Sequence, residues 1–439
     1  MDNPYTLRIG VFFDGTGNNR HNADLRATAP SCQQDSYANA KSNIAKLFEL
    51  YPRSATDAHG TVASIYVEGV GTLGGHPDTL LDKVTGTGNT GMQAKVQHAV
   101  ERAAAHIEAL GTGVRVSHLR FDLFGFSRGA AEARHFANEL ALGPGSPLAM
   151  LSRHSDHLAE GFDWSFGRCV SIAFIGLFDT VATRMDLYAA TPGAESQLKL
   201  RLAPGIADHI AHFVARDEHR HHFPLSPTTD ADLLVPGAHA DIGGGYRPCW
   251  HEELHLSRPC RSTVDRHVAN ESSPSYQLAQ QQQRELAPAL ERYGFALAIK
   301  TWANPFHLTA RGDHQSGKHV HAALVGRREV QHQLAHVYGQ AMHELASSKG
   351  VPFNPLRAQD PALVLPDELL GAAGKIRQYL LGRQADLLLS DSEERLLKRR
   401  YIHYSSHWNS LKAAPVSDLD ALYPNRPATD RRRLLTLAD

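Results

Sequence analysis

Residues 116–131 read VSHLRFDLFGFSRGAA, and this stretch decides the fold. The apolar run before Gly125 is typical of a buried strand, and the small residues after Gly129 favour the start of a helix. Residues 125–129, Gly-Phe-Ser-Arg-Gly, match the G-x-S-x-G pattern of a nucleophile elbow, a sharp strand-to-helix turn that presents the serine. Both glycines are needed because a Cβ would collide with the backbone that this turn brings close. We predict that Ser127 is a nucleophile; an ordinary glycine-rich turn is the alternative.

Strands and helices alternate around this stretch. Apolar runs predict strands over residues 7–13, 65–67, 171–178 and 231–235, and helical spacing predicts helices over residues 42–50, 91–110 and 130–139. Residues 208–220 also favour a helix, and residues 69–91, rich in glycine and threonine, predict a long surface loop. The alternation predicts an α/β fold with a mostly parallel, doubly wound sheet flanked by helices.

The composition is that of an ordinary globular protein. The chain has 439 residues, 42% hydrophobic and 21% charged, with a net charge of −1, so no overall field attracts nucleic acid. Four cysteines are too few for a disulfide scaffold. The N-terminus has neither the basic nor the apolar region of a Sec signal, and no apolar run is long enough to span a membrane. We expect synthesis in the cytoplasm and, for any action outside the cell, export by another route.

Candidate partners for the serine follow predicted strands. Asp179 comes directly after the strand over residues 171–178, and His239 lies in a glycine-rich loop after residues 231–235. The chain order Ser127, Asp179, His239 is that of an α/β-hydrolase, although an aspartate at a strand end also commonly caps the next segment. Asp217 is the alternative acid, and His403 is the rival base.

Two further features accompany these residues. The first strand is followed by Asp14-Gly15-Thr16-Gly17-Asn18, a loop that suits either a phosphate cradle or an oxyanion hole, with a plain turn as the third alternative. A dinucleotide site is excluded because Arg20 replaces the third glycine of that fingerprint. Asp241 follows His239 by two residues, and we expect it to brace the loop or to bind its backbone N–H groups.

Residues 251–255, His-Glu-Glu-Leu-His, match the H-E-x-x-H pattern of zinc hydrolases. A zinc site of this kind needs His251 and His255 one turn apart on a buried helix, with a third ligand. The stretch lies instead among turn-forming residues without helical apolar spacing. We therefore predict no metal and no cofactor, and keep a zinc hydrolase as an alternative function.

Four motifs together resemble the α/β-hydrolase phospholipase effectors of bacterial type VI secretion. They occur in this order over residues 5–250, with looser likeness at residues 351–353 and 401–403: Phe12–Asn18, Gly125–Ala130, Gly176–Val181 and Gly237–Tyr246. The resemblance implies a serine esterase of the phospholipase A type, acting on the acyl esters of membrane glycerophospholipids. It also implies an antibacterial protein that the secretion spike delivers to a rival cell's periplasm, with a cognate immunity protein as a further partner.

The family's site carries over onto matching positions. The resemblance implies Ser127, Asp179 and His239 as the triad and favours the oxyanion role for the loop that begins at Asp14. The oxyanion would then be held by the backbone N–H of Arg128 and by that of Gly15 or Thr16, with Asp14 and Asp241 as supporting residues. A non-enzymatic, hydrolase-like module that docks to the spike is the alternative.

We predict three regions. Residues 1–250 form the α/β-hydrolase catalytic core, residues 251–350 a helical and loop extension packed on it, and residues 351–439 a helical region that faces a membrane or a partner. The basic runs at residues 398–400 and 431–433 are expected to be solvated, with docking to a membrane surface or a partner as the alternative.

Overall fold

The structure, a computed structural model, describes residues 5–24, 39–72, 91–182, 198–228, 230–310, 313–357, 364–410 and 422–436. The predicted loop over residues 69–91 lies mostly outside these ranges, which include only residues 69–72 and Gly91 of it.

A seven-stranded sheet forms the centre of the fold. Its strand order is β2-β3-β1-β4-β5-β6-β7, and only β2, at one edge, runs antiparallel to its neighbour. The strands are β1 (Thr6–Phe13), β2 (Ser54–Thr56), β3 (Gly60–Val67), β4 (His118–Phe126), β5 (Val170–Phe178), β6 (His209–Ala215) and β7 (Asp232–Val235). The prediction of a mostly parallel α/β fold is confirmed.

Helices cover both faces of this sheet. The described α-helices are α1 (Arg20–Asp24), α2 (Asn43–Leu50), α3 (Met92–Glu108), α4 (Arg128–Leu140), α5 (Pro147–Ser152), α6 (His239–Gly243), α7 (Pro274–Glu291), α8 (Leu334–Ser348), α9 (Asp367–Leu380) and α10 (Asp391–Arg400). Helices α3, α4 and α5 pack in one apolar core and α2, α8, α9 and α10 in the other. Alternate residues of β1 enter the two cores, Val11 on one side and Phe12 on the other, as expected for a strand covered on both faces.

Strand β6 corrects the predicted helix over residues 208–220. The polar side chains His209 and His212 made the stretch look helical, but His212 is buried in the sheet. Its Nδ1 lies 2.7 Å from Asp232 Oδ1 on neighbouring β7, and its Nε2 accepts from the backbone N–H of Thr180. Because these contacts give both ring nitrogens of His212 a hydrogen-bond partner, this polar residue is tolerated inside the sheet.

A second, antiparallel sheet corrects the prediction for residues 251–350. Strands β8 (Cys249–His255), β10 (Ala296–Ala310) and β11 (Asp313–Gln331) lie in the order β10-β11-β8, and β9 (Cys260–Asp265) also pairs with β11. Residues 320–326 of β11 are all buried, and they include the polar His321 and the small Ala322, so the apolar signal was weak. The region is therefore half sheet, not helix and loop alone.

The C-terminal region is helical only in part. After α10 the described chain has one short 3₁₀ turn (Thr429–Arg431) and otherwise no helix. We call residues 422–436 the C-terminal strap. Of the helices that the structure describes, none combines the length and the apolar character needed to cross a membrane.

Candidate active site

Ser127 forms the turn between β4 and α4. Its backbone has φ 57° and ψ −123°, a conformation that side-chain-bearing residues rarely adopt, and its side chain is buried. Its N–H donates to the carbonyl of Phe178 at 3.0 Å, and its carbonyl accepts from the N–H of Ala130 at 3.1 Å. Strain of this kind concentrates at functional positions, and this geometry is that of a nucleophile elbow.

The two glycines of the turn have no room for a side chain. A Cβ on Gly125 would lie 2.5 Å from the Cα of Ala130, and one on Gly129 would lie 2.3 Å from the carbonyl oxygen of Phe13. The atoms met are backbone atoms, which cannot rotate away. Both glycines of the pattern are therefore required, because β1, β4 and α4 approach one another too closely for a side chain.

Gly129→Ala is expected to destabilise the protein by about 1 to 3 kcal/mol, because relieving the contact must shift β1 or α4. The measurement is the free energy of unfolding in urea. Gly374→Ala is the matched control: Gly374 is also helical, is exposed in α9 and has no atom within 4 Å of the position that a Cβ would take. This control should become more stable by about 0.5 to 1 kcal/mol. Equal effects of the two substitutions would contradict the packing argument.

Asp179 lies at the carboxyl end of β5, next to the elbow. Its Oδ2 lies 2.5 Å from Nδ1 of His239, and its Oδ1 accepts from the N–H of Ala215 at 2.8 Å. Burial by itself would raise the pKa of this carboxyl, but the charge of Arg433 and the hydrogen bond from His239 outweigh it and hold the pKa well below its usual range. Asp179 is therefore a buried carboxylate.

His239 begins the short helix α6 and is itself buried. Its ring packs between Phe126, which precedes the serine, and Phe223, at centroid distances of 4.7 and 5.1 Å. Burial lowers the pKa of His239 below 6.5, and the hydrogen bond with Asp179 opposes this only in part. The arrangement supplies a neutral imidazole, fixed through Nδ1, beside the elbow.

The alternative acid and the rival base have other partners. Asp217 accepts from the N–H of Gly237 at 2.9 Å, and its own N–H donates to the carbonyl of Gly237. His403 lies with Nδ1 2.6 Å from Asp241 and stacks on Tyr246. Within the described part of the chain, Asp217 thus fastens the loop that carries His239, and His403 pairs with an aspartate other than Asp179.

Asp241 accepts hydrogen bonds from two backbone N–H groups. Its Oδ2 accepts from the N–H of Ala238 at 2.9 Å and from the N–H of His403 at 3.0 Å. One carboxylate therefore ties the start of α6 to the chain that follows α10.

The loop after β1 lies against the elbow. The Nε of Arg128 donates to Oγ1 of Thr16 at 2.5 Å. The N–H of Gly15 donates to Oδ1 of Asp14 at 2.7 Å, whereas that of Thr16 has no acceptor among the described residues. Of the two alternative donors from this loop, only the N–H of Thr16 is therefore left without an acceptor among the described residues. Burial raises the pKa of Asp14 to about 6, although Tyr66 and the Gly15 N–H donate to its carboxyl.

Sequence reasoning missed three charged residues at the site: Glu218, Arg220 and Arg433. Glu218 is fully buried and accepts from the N–H of His239 at 3.3 Å and from the guanidinium of Arg220. Burial opposes ionisation, but Arg220 outweighs it and lowers the pKa of Glu218 to about 2. Arg433 donates two hydrogen bonds to Asp179. No motif marks these residues, and Arg433 belongs to a basic run that the sequence predicted to be solvated.

The H-E-x-x-H stretch lies on strand β8, so the zinc hydrolase alternative is wrong. Four residues along a strand separate His251 and His255 by about 13 Å, too far for one metal ion. Glu252 between them is buried in an ion pair with Arg328 at 2.6 Å. The ring of His255 stacks on Trp302.

Among the described residues, one group could hold a metal ion. Cys249, His251 and Glu329 are exposed on β8 and β11, with their ligand atoms within 4.8 Å of one another. The group is part of the second sheet, whereas the serine, the aspartate and the histidine all follow strands of the main sheet.

Comparisons with known proteins identify the family of the chain. The family model described as "T6SS, Phospholipase effector Tle1-like, catalytic domain" matches residues 8–142 and 149–260, which is more than half of the chain. A comparison with curated protein sequences gave no match. The match ends before the C-terminal strap, which therefore lies outside the region matched as the catalytic domain.

Two solved structures are similar to the chain. One, titled "Structure of the Tle1 effector bound to the VgrG spike from the Type 6 secretion system", is 26% identical, with a TM-score of 0.76, over 100% of this chain and 94% of that one. The other, an uncharacterized protein from Pseudomonas aeruginosa, is 18% identical over 90% of this chain and 52% of that one, with a TM-score of only 0.44. The resemblance inferred from four motifs is thus confirmed, and the chain belongs to the Tle1-like family of type VI secretion phospholipase effectors.

Proposed function

We propose that the chain is a serine phospholipase A, an esterase that hydrolyses acyl ester bonds of membrane glycerophospholipids. The observation that carries the proposal is the buried hydrogen bond between Asp179 and His239, beside the strained turn of Ser127. A nucleophile, a base and an orienting carboxylate in this relation form the arrangement used for acyl transfer.

The reaction follows from the roles of these atoms. His239 takes the proton of Ser127 on Nε2, while Nδ1–H stays on Asp179 and fixes the tautomer. Oγ of Ser127 then attacks the ester carbonyl, and the N–H groups of Arg128 and Thr16 donate to the oxyanion. Collapse releases the lysophospholipid, which takes its proton from His239. Water activated by the same imidazole frees the fatty acid from the serine.

The proposal predicts activity that persists into mildly acidic solution. The base must be neutral to accept a proton, and burial lowers the pKa of His239 below 6.5. The acidic limb of kcat/KM, which reports this group in the free enzyme, should therefore have its midpoint below 6.5. A pH profile on a soluble ester substrate measures it. A midpoint above 6.5 would contradict the assignment of a buried His239 as the base.

Fatty-acid release tests the activity itself. Vesicles of phosphatidylethanolamine and phosphatidylglycerol are incubated with the wild type and with His239→Ala. His332→Ala is the matched control, because burial also lowers the pKa of His332, which lies just before α8 and pairs with the carbonyl of Tyr246, not with a triad residue. We expect release by the wild type and the control only. Equal release by all three proteins would contradict the proposal.

We further propose the delivery that the family implies. The chain would leave its producer on the type VI spike, act in the periplasm of a rival bacterium and be neutralised in the producer by a cognate immunity protein. The solved relative bound to the VgrG spike supports docking of this chain to such a spike. Docking without catalysis is the second candidate function, and it predicts that Ser127→Ala retains full toxicity in the periplasm.

A further inference from the structure

The C-terminal strap runs alongside the segment that follows β6. The N–H of His221 donates to the carbonyl of Arg426 at 2.9 Å, and the N–H of Ala428 donates to that of His219 at 2.8 Å. Farther along, the N–H of Leu225 donates to the carbonyl of Leu434 at 2.9 Å. The strap is thus fastened on both sides of Arg433.

Arg433 reaches from the strap into the site. Its Nη1 and Nη2 donate to Oδ1 and Oδ2 of Asp179 at 2.6 and 2.9 Å. Its Nε donates to the carbonyl of Phe223 at 3.1 Å, and Nη1 also donates to that of Ala215 at 3.3 Å. Only 10% of the side chain is exposed, so this guanidinium is held in one orientation.

The two other arginines of the basic run, residues 431 and 432, have surroundings different from those of Arg433. Arg431 donates to the hydroxyl of Tyr404, and Arg432 is exposed. Arg433, by contrast, turns inward and forms a bidentate pair with Asp179. The run is therefore not a uniform solvated face.

The contacts leave the carboxylate of Asp179 little freedom. Oδ1 accepts from Arg433 and from the N–H of Ala215, while Oδ2 accepts from Arg433 and from Nδ1 of His239. These four donors match the acceptor capacity of a carboxylate. The bidentate pair fixes the plane of the group, and with it the direction in which Oδ2 meets the imidazole.

We propose that Arg433 is a positioning residue of the catalytic triad, supplied by the C-terminal strap to hold Asp179 in place for His239. The inference rests on the proposed function for its catalytic consequence. It assigns a catalytic requirement to a segment that lies 254 residues from Asp179 in the chain and outside the matched catalytic domain.

The guanidinium also determines how much of the negative charge acts on the base. Among the described residues, the charged groups that act on His239 are Asp179, directly after β5, and Glu218 and Arg220, in the segment after β6. Arg433 partly neutralises the first of these. Without it, the carboxylate would favour the imidazolium more strongly, and the pKa of His239 would rise.

Three variants test the role: Arg433→Gln, Arg433→Lys and, as the matched control, Arg432→Gln. Arg433→Gln should lower kcat for fatty-acid release by up to about 100-fold through misplacement of the imidazole, with little change in KM. Its acidic limb should move to higher pH. Arg433→Lys keeps the charge but cannot hold both oxygens in a planar fork. Its acidic limb should therefore lie close to that of the wild type, while its kcat should remain below the wild-type value. Arg432→Gln should behave as the wild type.

A readout without substrate separates this inference from the proposed function. NMR titration of ¹⁵N-labelled histidines, with His239→Ala to assign the signal, gives the pKa of His239 in each folded variant. We expect a higher pKa in Arg433→Gln and an unchanged one in Arg432→Gln. An unchanged pKa together with unchanged kcat in Arg433→Gln would overturn the inference. Absence of fatty-acid release by the wild type would contradict the proposed function, and the titration would still test the contact of Arg433 with the Asp179–His239 pair.

Discussion

Replacing Ser127 by alanine is expected to lower fatty-acid release by about 10⁴- to 10⁶-fold, because removal of the nucleophile disables the triad as a unit. The hydroxyl has no counterpart in the variant, so neither His239 nor the oxyanion donors can compensate. The measurement is the initial rate of fatty-acid release from phosphatidylethanolamine vesicles.

Stability distinguishes this loss from unfolding. The backbone of Ser127, at φ 57° and ψ −123°, favours glycine, so Ser127→Gly should be more stable than the wild type by about 1 kcal/mol while equally inactive. Lost activity with gained stability is the signature of a residue kept for its chemistry. An inactive variant that is also unfolded would leave the catalytic role unsupported, and retained activity in folded Ser127→Ala would contradict it.

Asp179→Asn is expected to lower kcat by about 10⁴-fold, because the amide would donate to Nδ1 of His239 and hold the tautomer whose Nε2 cannot accept a proton. The variant should also lose about 3 kcal/mol or more of stability, since the buried guanidinium of Arg433 loses its counter-ion. Rates are therefore measured well below the midpoint of thermal unfolding.

Asp217→Asn is the matched control for the acid. Asp217 accepts from the backbone N–H of Gly237, and an asparagine oxygen can still do so. We expect at most about a tenfold loss, the scale of one weakened hydrogen bond. A larger loss of kcat in Asp217→Asn than in Asp179→Asn would mean that Asp217, and not Asp179, is the acid of the triad.

Five of the seven strands of the main sheet (β1, β3, β4, β5 and β7) and the three residues of the proposed triad were predictable because local patterns mark them. The strand ending at Gly125 and the small residues after Gly129 specified the elbow, and an apolar strand leads directly to Asp179. His239 stood out because a glycine-rich loop follows a strand there. Each signal is contained within about ten residues, the range over which sequence periodicity is informative.

The errors arose where long-range contacts decide the structure. Strand β6 looked helical because its histidines are polar, and only the partners from β7 and from Thr180 make His212 tolerable in a sheet. The second sheet is hard to predict because small and polar residues such as Ala322 and His321 lie among the large apolar residues that it buries. The sequence predicts a solvated Arg433 because nothing near this residue in the chain indicates the carboxylate that it contacts.

Mass spectrometry of the lipid products tests the central claim most directly. Vesicles containing phosphatidylethanolamine and phosphatidylglycerol are incubated with the wild type and with Ser127→Ala, and all products are identified by mass. A serine phospholipase A must yield lysophospholipid and free fatty acid in equal amounts with the wild type, and neither above background with the variant. Intact lipids with the wild type, or cleavage at the phosphate instead of the acyl ester, would contradict the account.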